Sequence, residues 1–194
     1  MQVFNKRTFT YEQFCRVTDL AMFSVVKKRR YFKKISKAFQ NHIMLAVTEV
    51  NGCQACTWFH TKHAARMKLN EEDISSLLSG EIQNLPEEEH VALLFAQHYA
   101  DTFGVYDLEE FTAVKEYYGE ETAEGILASI RMIMLGNVNG IAFGSLKERI
   151  KGHPVKGSKL RYEILNLISV IWLPAYYILK NIFRKKTFDP SRRT

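Results

Sequence analysis

Apolar residues recur every three or four positions along most of this chain, and the breaks between the runs carry helix caps rather than hairpin turns. Over residues 10–26, Phe14, Val17, Leu20, Ala21 and Val25 share one helical stripe, and Thr10 with Gln13 has the form of a capping box. Residues 35–50 repeat the pattern with Ile35, Phe39, Ile43, Met44 and Val47, and Asn51-Gly52 ends it. A further helix is expected from Cys53 to Arg66. Asn70 followed by Glu71, Glu72 and Asp73 reads as a capped restart with acids at the positive end of the macrodipole, running to Leu78 and stopped by Gly80. Pro86 and three glutamates open a segment that reaches Phe103, and helices at about 107–118 and 121–136 follow. There is no alternating strand series, Gly-rich phosphate loop or internal repeat. The pattern predicts an all-α bundle.

At 194 residues the chain can bury one full core and carry an appended segment. Three regions are expected: an N-terminal helix and basic segment (1–34), a helical core (35–152), and an apolar C-terminal helix with basic flanks (153–194). In the last region, residues 164–179 hold sixteen positions without a charge, with the amphipathic Trp172, Tyr176 and Tyr177 among them. A bilayer span wants ~20 apolar residues, and this run is interrupted by Asn166, Ser169 and Pro174. Packing against the bundle or a sister subunit, lying in a membrane interface, and crossing a bilayer are the three open placements, in that order.

The net charge of +6 divides into blocks: +10 over residues 1–70, −14 over 71–125 and +10 over 126–194. The acidic middle can neutralise the basic flanks within or between subunits. That argues against nucleic acid as a partner, because such binding needs free positive charge to displace counterions. The run Lys27, Lys28, Arg29, Arg30, Lys33, Lys34, Lys37 reads first as a solvated face, and otherwise as a contact for an acidic partner or an anionic membrane. The first residues lack an apolar signal-peptide stretch, and three cysteines make no disulfide framework. A cytoplasmic location is expected, with membrane-surface contact through the tail as the alternative to its packing on protein.

Chemistry concentrates at Cys53-Gln54-Ala55-Cys56-Thr57-Trp58-Phe59-His60. A thiolate is the reactive form of cysteine, and the first turn of a helix stabilises it through unpaired backbone N–H groups. Cys53 and Cys56 lie three apart on one face, so they can close a disulfide. His60, four beyond Cys56, is placed to accept the thiol proton. The expected cycle is attack on a peroxide or a partner's disulfide, resolution by the second sulfur, and re-reduction by an external dithiol. Zinc is the competing reading, with His63 as a fourth ligand, but one short helix wraps a tetrahedron poorly and no second ligand pair exists. An inert cysteine pair is the third. Cys15 lies on an apolar stripe and reads as core, and His98 likewise falls on an expected buried stripe.

These residues resemble the redox-active, alkylhydroperoxidase D-like branch of the carboxymuconolactone decarboxylase family. Its signature, Glu-x11-Cys-x2-Cys-x3-His-x9-Asn, is met by Cys53, Cys56, His60 and Asn70. The likeness covers roughly residues 35–150, with the apolar C-terminal helix as an addition. It implies an all-α fold, a homotrimer or hexamer of trimers, and peroxide or disulfide reduction at the expense of a dithiol donor, with no resident cofactor or metal. Lactone decarboxylation fits less well, since those relatives lack the cysteines. The family's glutamate, which relays protons to the His–Cys pair, falls on Asn41, which has no titratable proton. Glu49, one turn before Cys53, is the candidate substitute.

Overall fold

The computed structural model describes residues 7–184; Lys185 and Lys186 of the basic C-terminal flank and the first six residues of the N-terminal segment lie outside the described residues. The regular elements described are helices: α1 (Tyr11–Lys27), α2 (Lys37–Asn51), α3 (Gln54–Arg66), α4 (Glu71–Ser79), α5 (His90–Asp101), α6 (Leu108–Tyr118), α7 (Glu120–Ile150) and α8 (Leu160–Phe183). Short 3₁₀ turns occupy Arg29–Lys34 and Glu87–Glu89. The expected all-α class holds.

The caps act where the sequence places them. Thr10 Oγ1 accepts the Gln13 N–H while the Gln13 side chain accepts the Thr10 N–H, closing the box that starts α1. Asn70 starts α4, and Gly80, in the left-handed region, ends it. Two boundaries differ from expectation. Pro86 does not open an α-helix directly: the three glutamates after it form a 3₁₀ turn, pinned by His42 Nδ1 to Glu89 Oε2 at 2.6 Å, and α5 begins at His90. The helix expected to end near residue 136 continues to Ile150. The helix passes through Gly136, Gly140 and Gly144, and at Gly140 the missing side chain permits close packing.

α7, at 31 residues ~46 Å long, is the axis of the molecule and touches α1, α2, α3, α5, α6 and α8. From Ala123 to Leu135 nearly every side chain is buried. Ile126, Leu127, Ile130 and Met134 share one core with Phe14 and Phe23 of α1, Ile43 and Val47 of α2, and the aromatic group Phe95, Tyr99, Tyr106 and Phe111. The charge blocks meet within the subunit: Lys28 reaches Glu124 at 2.7 Å, Lys34 reaches Glu121 at 2.5 Å, and Arg7 reaches Asp101 at 2.7 Å. His98 is on the surface, bonded to Glu110 at 2.9 Å, not in the core as its stripe suggested. α8 runs through Pro174 without stopping and lies along α1 and α7.

Candidate active site

The dithiol is built by the junction between α2 and α3. Gly52, at φ 71°, takes the left-handed conformation that caps α2, its N–H bonding to Thr48 O at 2.8 Å. The chain reverses there, and Cys53 becomes the N-cap of α3 in extended conformation rather than a residue of its first turn. A cap side chain faces the orphan N–H groups of the helix start. Cys53 Sγ accordingly accepts the Cys56 N–H at 3.4 Å, and the two sulfurs stand 2.7 Å apart as free thiols.

Either thiol can donate to the other across this contact, so the first to ionise is held by the S–H of the second. The backbone favours leaving the anion on Cys53, because its Sγ also faces amide donors. The Cys56 thiol as donor holds the Cys53 pKa below its ordinary value; burial opposes this, and the N–H groups of Cys56 and Ala55 assist it. The Cys56 pKa is pushed well up by the same contact and by burial. Charge and access are therefore divided: Cys53 is fully buried, Cys56 half-buried.

α7 covers the pair. A Cβ added at Gly140 would lie 2.5 Å from Cys53 Sγ and 3.2 Å from Cys56 Sγ, so only glycine allows this approach. Nearby, Asn137 Oδ1 accepts the Thr48 hydroxyl at 3.1 Å, fixing α7 to α2 just before the junction. Beside Gly140 opens a cavity of about 260 Å³ whose wall includes Gln54, Ala55, Phe143, Lys147 and Glu148. Gly140 was missed as a site residue; its only sequence signal is the spacing Gly136, Gly140, Gly144 inside an apolar helical run.

His60 sits one turn beyond Cys56, and its hydrogen-bond partner is Asn41: Nδ1 and Asn41 Oδ1 are 3.4 Å apart. Burial, helped by His63, lowers its pKa to about 4, so it is neutral at pH 7. A ring with so low a pKa is a weak acceptor for the thiol proton that His60 is expected to take. Asn41 is 2% exposed, and its Nδ2 has no partner among the described residues. Glu49 directs its carboxylate at Gly80, where α4 ends: a Cβ there would lie 3.4 Å from Oε2. His63 is exposed and stacks on Phe59 at 6.4 Å. Asn70 caps α4 by accepting the Glu72 N–H at 3.0 Å. The structure thus brings Cys53, Cys56 and Gly140 together, pairs His60 with Asn41 one turn further along α3, leaves His63 exposed, and uses Asn70 as a helix cap.

Compared with protein-family models, with curated proteins and with solved structures, the chain matches none. Among the described residues no group of three or more His, Cys, Asp or Glu side chains converges as a metal site requires.

Proposed function

We propose that this protein is a thiol-dependent antioxidant oxidoreductase that reduces a hydroperoxide, or the disulfide of a partner protein, through Cys53 and Cys56. The observation that carries the reading is the sulfur pair itself: 2.7 Å apart, one sulfur at a helix N-cap, under a glycine that leaves room for nothing else. The resemblance to the alkylhydroperoxidase D-like branch supports the same chemistry, and with it assembly as a homotrimer or hexamer of trimers.

Cys56, the sulfur nearer solvent, meets the substrate, and its proton passes to Cys53 across the short contact. Attack on a hydroperoxide breaks the O–O bond, gives a Cys56 sulfenic acid and releases an alkoxide that is protonated to the alcohol. Cys53 then displaces the sulfenic oxygen as water and closes the disulfide, which needs the sulfurs to approach to ~2.05 Å. An external dithiol returns the pair to thiols by two exchanges. His60, four residues beyond Cys56 on the same helix, is the proposed proton acceptor of the first step, but at a pKa of about 4 it is a weak base toward a thiol, which limits the expected rate.

The test is consumption of an organic hydroperoxide by the purified protein with a dithiol donor. Turnover should fall at least about a hundredfold in Cys53→Ser and in Cys56→Ser, the scale of losing a nucleophile. Turnover that survives loss of both cysteines defeats the proposal and favours the lactone reaction. Zinc in the freshly purified reduced protein, lost in either variant, favours the metal reading.

A further inference from the structure

We infer that α8, with the basic 3₁₀ turn at Arg29–Lys34, forms a docking surface for an anionic lipid bilayer, the helix lying in the plane of the interface. The reading starts from an inversion. On a helix bordering water the apolar stripe faces the core. In α8 the face turned to α1 and α7 is largely polar, with Glu163, Asn166, Ser169 and Asn181 each 2% exposed or less. These side chains are bonded inward: Glu163 to Arg149 at 2.8 Å, Ser169 to Tyr11 at 2.9 Å, Asn181 to Asp19 at 2.9 Å. The face turned outward is apolar. Ile168 is 57% exposed, Ile171 82%, Trp172 51%, Leu179 61% and Phe183 88%. An apolar surface of this length is not left to water by a soluble monomer.

Charge selects the occupant. Lys159 and Arg161 stand at the start of α8; at its end Lys180 and Arg184 are both paired with Asp19, at 3.1 Å each, so the free positive charge there comes from the neighbouring basic turn. Lys27 Nζ donates to Ile182 O at 2.9 Å, which sets the following basic turn beside that same end. In this turn Arg29, Arg30 and Lys33 are exposed and form no ion pair among the described residues. Two copies pairing α8 on α8 would bring cations against cations in either orientation. A bilayer of anionic headgroups and acyl chains satisfies the cations and the apolar face together, with Trp172 and Tyr176 suited to the headgroup level. The helix does not cross alone: that would carry Glu163, Asn166 and Asn181 into hydrocarbon and strip them of their partners.

Flotation of the full-length protein with vesicles of phosphatidylcholine, alone or with phosphatidylglycerol, tests this. The protein should float with the anionic vesicles, dissociate at high salt, and bind pure phosphatidylcholine at least tenfold more weakly. Replacing Arg29, Arg30 and Lys33 by glutamine should weaken anionic binding about a hundredfold, at ~1 kcal/mol per cation. Ile171→Asp, at a site exposed enough to leave the fold intact, should weaken it with circular dichroism unchanged. Loss of both cysteines should leave binding as it is, which separates this inference from the redox reading. No flotation of the wild type, or flotation indifferent to both sets of changes, overturns it. So does an oligomer in analytical ultracentrifugation that Ile171→Asp dissociates, since a second copy would then cover the face.

Discussion

Two glycines one turn apart on α7 offer a measurement in which most of the background cancels. Alanine at Gly136 meets only Ile133 Cδ1, at 3.7 Å, an ordinary contact. Alanine at Gly140 drives a methyl group to 2.5 Å from Cys53 Sγ, which the capping geometry holds in place. Each substitution gains the same helix propensity, ~1 kcal/mol over glycine. Gly136→Ala should therefore raise stability by ~0.5–1 kcal/mol. Gly140→Ala adds an overpacking cost of ~1–3 kcal/mol to the same gain. The difference between the variants isolates the contact. At ~2–4 °C per kcal/mol for a chain of this length, it corresponds to roughly 2–12 °C in Tm. Differential scanning calorimetry reads this directly. Thiol alkylation gives a second signal: moving Cys53 from its cap takes away backbone donors, so its pKa should rise in Gly140→Ala and stay put in Gly136→Ala. Equal melting temperatures with unchanged thiol reactivity would mean that α7 does not close over the dithiol.

Other perturbations probe separate contacts. Cys56→Ala removes the strongest support of the Cys53 thiolate, so ultraviolet titration should show Cys53 ionising at higher pH than in the wild type; an unchanged value would assign the stabilisation to the backbone alone. The His60 ring should titrate near 4 by nuclear magnetic resonance, and Asn41→Asp, putting a carboxylate about one hydrogen bond away, should raise it. The sign for stability follows. A folded pKa of about 4, below ~6.5 in the unfolded chain, gives a contribution complete above pH 6.5 and lost as pH falls toward 4. Acid unfolding should therefore begin at lower pH in His60→Gln. Glu163→Ala removes the carboxylate that accepts from both Arg149 and Ser158 and should lower Tm; an unchanged Tm would show that α8 is held mainly by its other contacts.

The helices were legible because the residues that start and stop them act locally. Thr10, Asn70 and Gly80 bond within their own turn, and no tertiary partner is needed to read them. α7 was not, because Gly136 and Gly140 carry two meanings that differ only in what packs against them. The cysteine pair was legible from its spacing. Its electrostatics were not: whether Cys53 is a first-turn residue or a cap is a one-residue matter, and it decides which sulfur faces the free amides. His60 shows the same limit. Its distance from Cys56 in sequence is fixed by the helix, but its ionisation is set by burial, which depends on what packs over the ring, and then by His63. His98 failed in the opposite sense, since an apolar stripe does not say where along it the core ends.

Asn41 and the neutral His60 together determine how reactivity should depend on pH. A carboxylate at position 41 would hold the imidazole protonated, and the thiolate would then rest on an ion pair that titrates twice: once as the thiol ionises, again as the imidazolium loses its proton. With an amide there and a histidine pKa of about 4, that second transition falls below the working range. The remaining support for the anion is the Cys56 thiol and the N–H groups at the start of α3, and backbone amides do not titrate. Alkylation and peroxide reduction should therefore each rise with pH through a single transition, belonging to the sulfur pair as a unit, and then level off. Asn41→Asp should add a second inflection as it restores charge to His60. A wild-type profile that is bell-shaped between pH 6 and 8, with its falling limb removed by His60→Gln, would show instead that the imidazolium carries the thiolate and that the cap is secondary.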